Sequence, residues 1–134
     1  MSNNHDIIIV PEPQSFGLTS SAGTTVLTGS DVTIHCTIEW APTVMESELS
    51  LLMVDAQLFM VRNEVTRNLS LTSPGISGTT FTYTTVVNSF SLNDSGNYSC
   101  VASIRPSSIY LYGELELSHK ISITTGDCDK MTLL

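Results

Sequence analysis

The sequence predicts an all-β sandwich, and three observations carry this prediction. Of its 134 residues, 41% are hydrophobic and only 13% are charged, and the polar remainder is rich in Ser, Thr and Asn, which favours strands and turns over helices. Apolar side chains alternate strictly from Val32 to Trp40, which is the period of a half-buried strand. Turn signals also recur between short strand-like runs, as they do in sandwiches.

The first third of the chain predicts a split first strand followed by a regular one. Ile7 to Val10 is a β-branched run that a proline ends, because proline lacks a ladder donor. Gly17 to Gly23 is typical of a loop, and Thr24 to Thr28 resumes extended structure, as though the first strand changed sheets. After the turn at Gly29-Ser30-Asp31, Val32 to Trp40 is the clearest strand.

The remaining chain predicts a hairpin and four more strands. The apolar runs Leu49 to Val54 and Leu58 to Val61 are separated by Asp55-Ala56-Gln57, which predicts a hairpin there. Leu58 to Val61 is either a buried run or an exposed patch for dimer formation. The other strand predictions are Val65 to Thr72, Thr79 to Val87, Ser95 to Ser103 and Ile109 to Thr125.

Two motifs resemble the immunoglobulin superfamily. Gly29-Ser30-Asp31-Val32-Thr33-Ile34-His35-Cys36 is similar to strand B, and Asp94-Ser95-Gly96-Asn97-Tyr98-Ser99-Cys100 is similar to the E–F corner and strand F, with Tyr98 placed as in a tyrosine corner. The resemblance implies an immunoglobulin-like sandwich of the V-like or intermediate set, with two antiparallel sheets, Greek-key connections and one inter-sheet disulfide. It also implies a structural ion pair between Arg67, on the expected strand D, and Asp94.

Three cysteines leave one without a partner in the chain. Cys36 and Cys100 lie in strand-like runs, whereas Cys128 lies in a tail, so Cys36–Cys100 is the expected bridge. Closing a loop of this length stabilises a fold by roughly 4 kcal/mol in the chain-entropy model, and the bridge implies an oxidising compartment. Cys128 is either a linker residue, a half-cystine of a following domain or an intermolecular bridge.

The sequence departs from the family at the aromatic that usually covers the disulfide. Members of the family place a Trp on strand C, but here the expected strand C runs through Leu51, Leu52 and Met53. Trp40 is the one Trp in the chain. Either Trp40 covers the bridge from the end of strand B, or Leu51 or Met53 fills the space.

The sequence offers little catalytic chemistry. His5, His35 and His119 are the imidazoles available as bases, and no nucleophile elbow, phosphate-binding glycine loop, paired-carboxylate motif or zinc-type cysteine spacing accompanies them. We therefore expect no enzyme, no cofactor and no metal site. The formal charge of −8 argues against a nucleic-acid partner, and no run approaches the length needed to insert into a membrane.

The surface features that favour binding are loops and acceptor motifs. Asn68, Asn93 and Asn97 each begin an Asn-x-Ser motif, the pattern of N-glycosylation. In variable-type domains the binding loops cluster at one end of the sandwich, and here they correspond to Ala41–Ser47, Asn63–Thr66 and Arg105–Tyr112. The last loop contains Arg105, Tyr110 and Tyr112, which are residue types common at binding hot spots.

The resemblance implies an extracellular recognition domain from the ectodomain of a metazoan cell-surface receptor or adhesion molecule. We expect it to bind a protein ligand or a second copy of itself, which would make it a homodimer. The alternatives are a spacer domain in a multidomain ectodomain and a secreted immune-type recognition protein. We expect residues 1–125 to form one domain of a longer protein and residues 126–134 to form a linker or tail.

Overall fold

The computed structural model describes residues 8–72, 74–107, 111–112 and 114–126. In these residues a single short helix, α1, spans Glu46–Leu49, and a 3₁₀ turn spans Leu92–Asp94. All other regular elements are strands, which is what the composition predicts. The strands are β1 Ile8–Ile9, β2 Ser15–Ser20, β3 Thr25–Leu27, β4 Val32–Glu39, β5 Leu52–Arg62, β6 Val65–Leu69, β7 Gly75–Ser77, β8 Thr80–Val87, β9 Gly96–Pro106, β10 Leu111–Tyr112 and β11 Leu115–Gly126.

Two packed sheets form the sandwich. One has the strand order β3-β11-β9-β5-β6 and the other β2-β4-β8-β7, while β1 pairs separately with β10. The first strand is split between the two sheets, because β2 pairs antiparallel with β4 and β3 pairs parallel with β11. The split was predicted, but the predicted loop over Gly17–Gly23 is wrong for Gly17–Ser20, which belong to β2, while residues 21–23 do lie in a turn. Leu18 is buried in β2 opposite Cys36 and gives that segment its inward face.

The predicted inter-sheet disulfide is confirmed. It joins Cys36 on β4 to Cys100 on β9, and both cysteines are fully buried. Leu58 on β5 lies directly opposite Cys100, and Tyr83 on β8 lies directly opposite Cys36. Directly opposed residues on antiparallel strands have Cβ atoms about 5 Å apart, so these two side chains cover the bridge from either sheet.

Both expectations for the aromatic that covers the bridge are wrong. Trp40 is fully buried, but four residues of strand place it about 13 Å beyond Cys36. Its Nε1 donates to the Pro11 carbonyl oxygen at 2.9 Å, and its ring meets Phe81 edge-on with centroids 5.1 Å apart. Leu51 and Met53 are 39% and 51% exposed. Leu58, at 1% exposure, fills the space instead.

The predicted hairpin around Asp55-Ala56-Gln57 is also wrong, because residues 52–62 form one strand. Asp55 and Gln57 are exposed, whereas Ala56 between them faces the core. The polar residues are therefore the outward half of an alternating strand. The actual hairpin joins β5 to β6 through Asn63 and Glu64, both of which have positive φ, as a two-residue type I′ turn requires.

This topology gives the sandwich two distinct ends. Leu52 at the start of β5 pairs with Pro106 at the end of β9, and Val61 pairs with Asn97. Residues 41–51 and the connection after Pro106 therefore meet at one end, which we call the loop end. The Asn63-Glu64 turn and the 3₁₀ turn lie at the other, which we call the turn end.

Truncation of Leu58 should destabilise the fold far more than truncation of Met53 on the same strand. We expect Leu58→Ala to lower the free energy of unfolding by about 2–5 kcal/mol, because it leaves a cavity beside the disulfide. Met53→Ala should change it by less than about 0.5 kcal/mol, because that side chain is largely in water. Urea unfolding of the two variants measures both values, and equal losses would contradict this assignment of the core.

Candidate functional site

The turn end is closed by a compact hydrogen-bonded cluster. The Tyr98 hydroxyl donates to the Asp94 carbonyl oxygen. The Asp94 carboxylate accepts from the Ser91 amide at 2.9 Å and from Arg67 Nη2 at 3.0 Å. Arg67 lies on β6, not on the strand D to which the sequence assigned it, because residues 52–62 form one strand and β6 pairs with it at the edge of the five-stranded sheet. Through these bonds, the polar groups of the cluster pair with one another.

Burial and charge set the protonation of this cluster. Burial alone raises the pKa of the Asp94 carboxyl, but the hydrogen bonds from Ser91 and Arg67 outweigh burial and bring that pKa below its usual value. Burial, and then the negative charge of Asp94, raise the pKa of Tyr98 to about 12. Near neutral pH the carboxylate is therefore charged and the phenol remains a hydrogen-bond donor.

The loop end presents exposed apolar side chains, although such residues also occur at the turn end, where Val65 and Leu92 are 67% and 61% exposed. Met45, Leu51 and Met53 are 62%, 39% and 51% exposed. Met53 points to the outer face of the five-stranded sheet and lies directly opposite Arg105, which is also exposed. The Ser107 amide donates to the Leu51 carbonyl oxygen at 2.8 Å, so the two loops of this end are joined. Apolar groups beside an arginine are typical of the centre of a protein interface.

A cleft of about 410 Å³ also opens at the loop end. Buried Leu49 of α1, together with Leu52 and Phe81, forms its apolar floor, and Ile76 on the edge strand β7 stands at its mouth with 60% exposure. Glu46 adds a carboxylate to the lining. The cleft is large enough to receive one or two side chains of a partner.

Sequence reasoning placed only part of this surface. Arg105 lies at the loop end as expected, whereas Tyr110 and the side chain of Tyr112 fall outside the described residues. The inclusion of Asn63–Thr66 among the loops of the same end is wrong, since that turn lies at the turn end. The cleft and the exposed methionines were missed. The sequence did carry a signal for this surface, because positions 44, 45, 49 and 51 are apolar although the connection around them is polar.

The histidines of the described residues take structural roles. His35 Nδ1 lies 3.1 Å from the Thr84 hydroxyl on the neighbouring strand. The Leu18 amide donates to His119 Nδ1 at 3.0 Å, which links the edges of the two sheets, while His5 falls outside the described range. Within residues 8–72, 74–107, 111–112 and 114–126, no three His, Cys, Asp or Glu side chains are grouped to hold a metal ion.

The three acceptor asparagines, Asn68, Asn93 and Asn97, are all exposed. Asn68 is on β6, Asn93 is in the 3₁₀ turn and Asn97 is near the start of β9. They therefore lie in the half of the molecule nearer the turn end. No helix in the described part of the chain has the length and apolar character needed to cross a membrane.

The two sheets, the order of their strands and the Cys36–Cys100 bridge define an immunoglobulin-like β-sandwich. A solved structure of murine CRIg is similar to this chain, with a TM-score of 0.54 and 9% sequence identity over 84% of this chain and 98% of that chain. Matches to solved chains number 280, so the likeness indicates a widespread architecture and shows the fold alone. No family model and no curated protein matches the sequence.

The Arg67–Asp94 ion pair should stabilise the fold in a pH-dependent way. Because the pKa of Asp94 is lower in the folded than in the unfolded chain, the pair contributes fully above the unfolded value of about 3.9 and is lost as pH falls through the folded value. Arg67 is 44% exposed, so solvent limits the contribution to about 0.2–1 kcal/mol. We expect Arg67→Met to lose this amount at pH 7 and much less at pH 3.

Arg62→Met is the matched control. Arg62 Nη1 donates to the uncharged Ser95 carbonyl oxygen at 3.3 Å, so the loss from removing it should not follow the titration of Asp94. Chemical unfolding of both variants and the parent at pH 7 and pH 3 provides the comparison. A loss for Arg67→Met that is the same at both pH values would contradict the role assigned to the ion pair.

Proposed function

We propose that this domain is an extracellular recognition domain of a cell-surface receptor or adhesion protein, and that it binds a protein partner through its loop end. The observation that carries the proposal is the exposed apolar surface formed by Met45, Leu51 and Met53 next to Arg105. Exposed apolar groups concentrated in one place favour association with another protein. The buried disulfide supports an oxidising, extracellular setting.

The site favours a partner with a basic binding surface. The chain carries a formal charge of −8, and Glu46 and Glu48 are exposed on α1 within the loop end. Two copies of the domain repel each other at low ionic strength, whereas a surface with lysines or arginines is attracted. Methionine side chains adapt to different partner shapes, so Met45 and Met53 suit a contact surface of this kind.

We also propose where the domain ends within the chain. Residues 1–125 form the recognition domain, and residues 126–134 form a linker or tail. In support, β11 supplies the last strand of the five-stranded sheet and reaches Gly126. The contacts of β11 with β9 and β3 complete the five-stranded sheet.

Binding should depend on the loop end and not on the turn end. We expect fluorescent tetramers of the domain to stain dissociated cells of the source organism. Met53→Lys should reduce staining about tenfold or more, because it places a charge and a longer side chain in the apolar contact. Val65→Lys is the matched control, since Val65 is 67% exposed at the turn end and its replacement should leave staining unchanged.

Flow cytometry measures the staining, and beads coated with the domain test binding between copies. Bead aggregation that Met53→Lys abolishes would identify the partner as a second copy. Absence of staining and of aggregation with the parent domain would contradict recognition and favour a spacer. Equal loss with Met53→Lys and Val65→Lys would contradict the assignment to the loop end.

A further inference from the structure

A half-buried aromatic lies beside an exposed acceptor asparagine on the outer face of the five-stranded sheet. Phe59 on β5 points away from the core, since its neighbours Leu58 and Met60 are buried. Asn68 on the edge strand β6 is its direct partner in the antiparallel ladder. Directly opposed residues share a face and have Cβ atoms about 5 Å apart. The Asn68 side-chain amide therefore projects from the sheet next to the Phe59 ring.

The surroundings of this pair leave room for a substituent on Asn68. β6 is the last strand of its sheet, and Asn68 and the following Ser70 are both exposed. Val61 lies on the same face of β5 as Phe59, two residues nearer the turn end, and extends the apolar strip that Phe59 begins. An apolar strip of this kind on an exposed sheet favours cover by another group.

We propose that Asn68 carries an N-linked glycan whose first N-acetylglucosamine packs on the Phe59 ring. In forming it, the Asn68 amide nitrogen bonds to C1 of the sugar and loses one proton. The C1–oxygen bond to a polyprenyl-pyrophosphate donor breaks, and the pyrophosphate leaves with the bonding electrons. The donor is the lipid-linked oligosaccharide of a eukaryotic secretory pathway. The apolar face of the sugar then removes part of the ring from water, as aromatic contacts do.

The same face holds a second acceptor. Asn97 on β9 lies directly opposite Val61, two strands from β6 and one row from Asn68. Strand spacing and residue rise place the two asparagines about 12 Å apart with Phe59 and Val61 between them. Glycans there cover this half of the sheet and leave the loop end open. The inference rests on the extracellular setting of the proposed function, but it requires no partner.

The first test is occupancy and stability in the secreted protein. The domain is produced in a eukaryotic cell line, and the glycan is trimmed enzymatically to a single N-acetylglucosamine. Mass spectrometry of the peptide that contains Asn68 should show the sugar. The trimmed protein should melt roughly 3 °C above Asn68→Gln, the shift expected for one aromatic contact in a domain of this size. An unmodified Asn68 would overturn the proposal.

A double-mutant cycle then tests the partner. In a Phe59→Thr background, the difference in Tm between Asn68 with its sugar and Asn68→Gln should disappear. Asn93→Gln is the control, because the turn Leu92–Asp94 contains no aromatic side chain, and it should not change Tm in either background. A difference of the same size with and without Phe59 would overturn the proposal.

A second measurement needs no substitution at Phe59. In the trimmed glycoprotein, NMR should show nuclear Overhauser contacts between the sugar protons and the Phe59 ring, with upfield shifts of those protons. These signals do not depend on whether Phe59→Thr folds. Sugar protons at the shifts of a free glycan, with no contact to the ring, would overturn the packing.

Discussion

The covalent link between Cys36 and Cys100 is the constraint on which the rest of the structure depends, because it fixes the distance between the two sheets at the centre of the core. Leu58 and Tyr83 lie directly opposite its two cysteines, one in each sheet, and both cysteines are fully buried. Closing so long a loop stabilises the fold by roughly 4 kcal/mol in the chain-entropy model. With the middle of β4 and β9 held together, the connections that follow them gather at one end.

The sequence predicts the parts of the fold that local signals specify. Strict alternation identifies β4, and the turn before Tyr98 and Cys100 identifies β9, so the bridge and the sandwich follow. The hairpin prediction failed because Asp55 and Gln57 are exposed residues within a continuous strand. Only the pairing of this strand with β9 shows that the chain does not turn there. Leu58 could not be chosen over Trp40 because the choice depends on register across strands, and register is a tertiary property.

The two ends of the molecule differ in how their polar and apolar groups are used. At the turn end, Asp94, Ser91, Arg67 and Tyr98 bond to one another, and a smaller cleft of about 240 Å³ is lined mainly by polar side chains. At the loop end, Met45, Leu51 and Met53 are exposed, and a larger cleft there has an apolar floor. The fold itself serves many functions. The difference between the two ends, and not the fold, is therefore the basis for assigning recognition to the loop end.

A new glycan at each end tests this assignment most directly. In a glycosylating host, Met45→Asn creates an acceptor motif with Ser47 at the loop end, and Glu64→Asn creates one with Thr66 at the turn end. Asn is well suited to the positive φ of position 64. The account predicts that the loop-end glycan abolishes staining of cells by domain tetramers and that its enzymatic removal restores staining, while the turn-end glycan has no effect. Full staining with the loop-end glycan in place would contradict it.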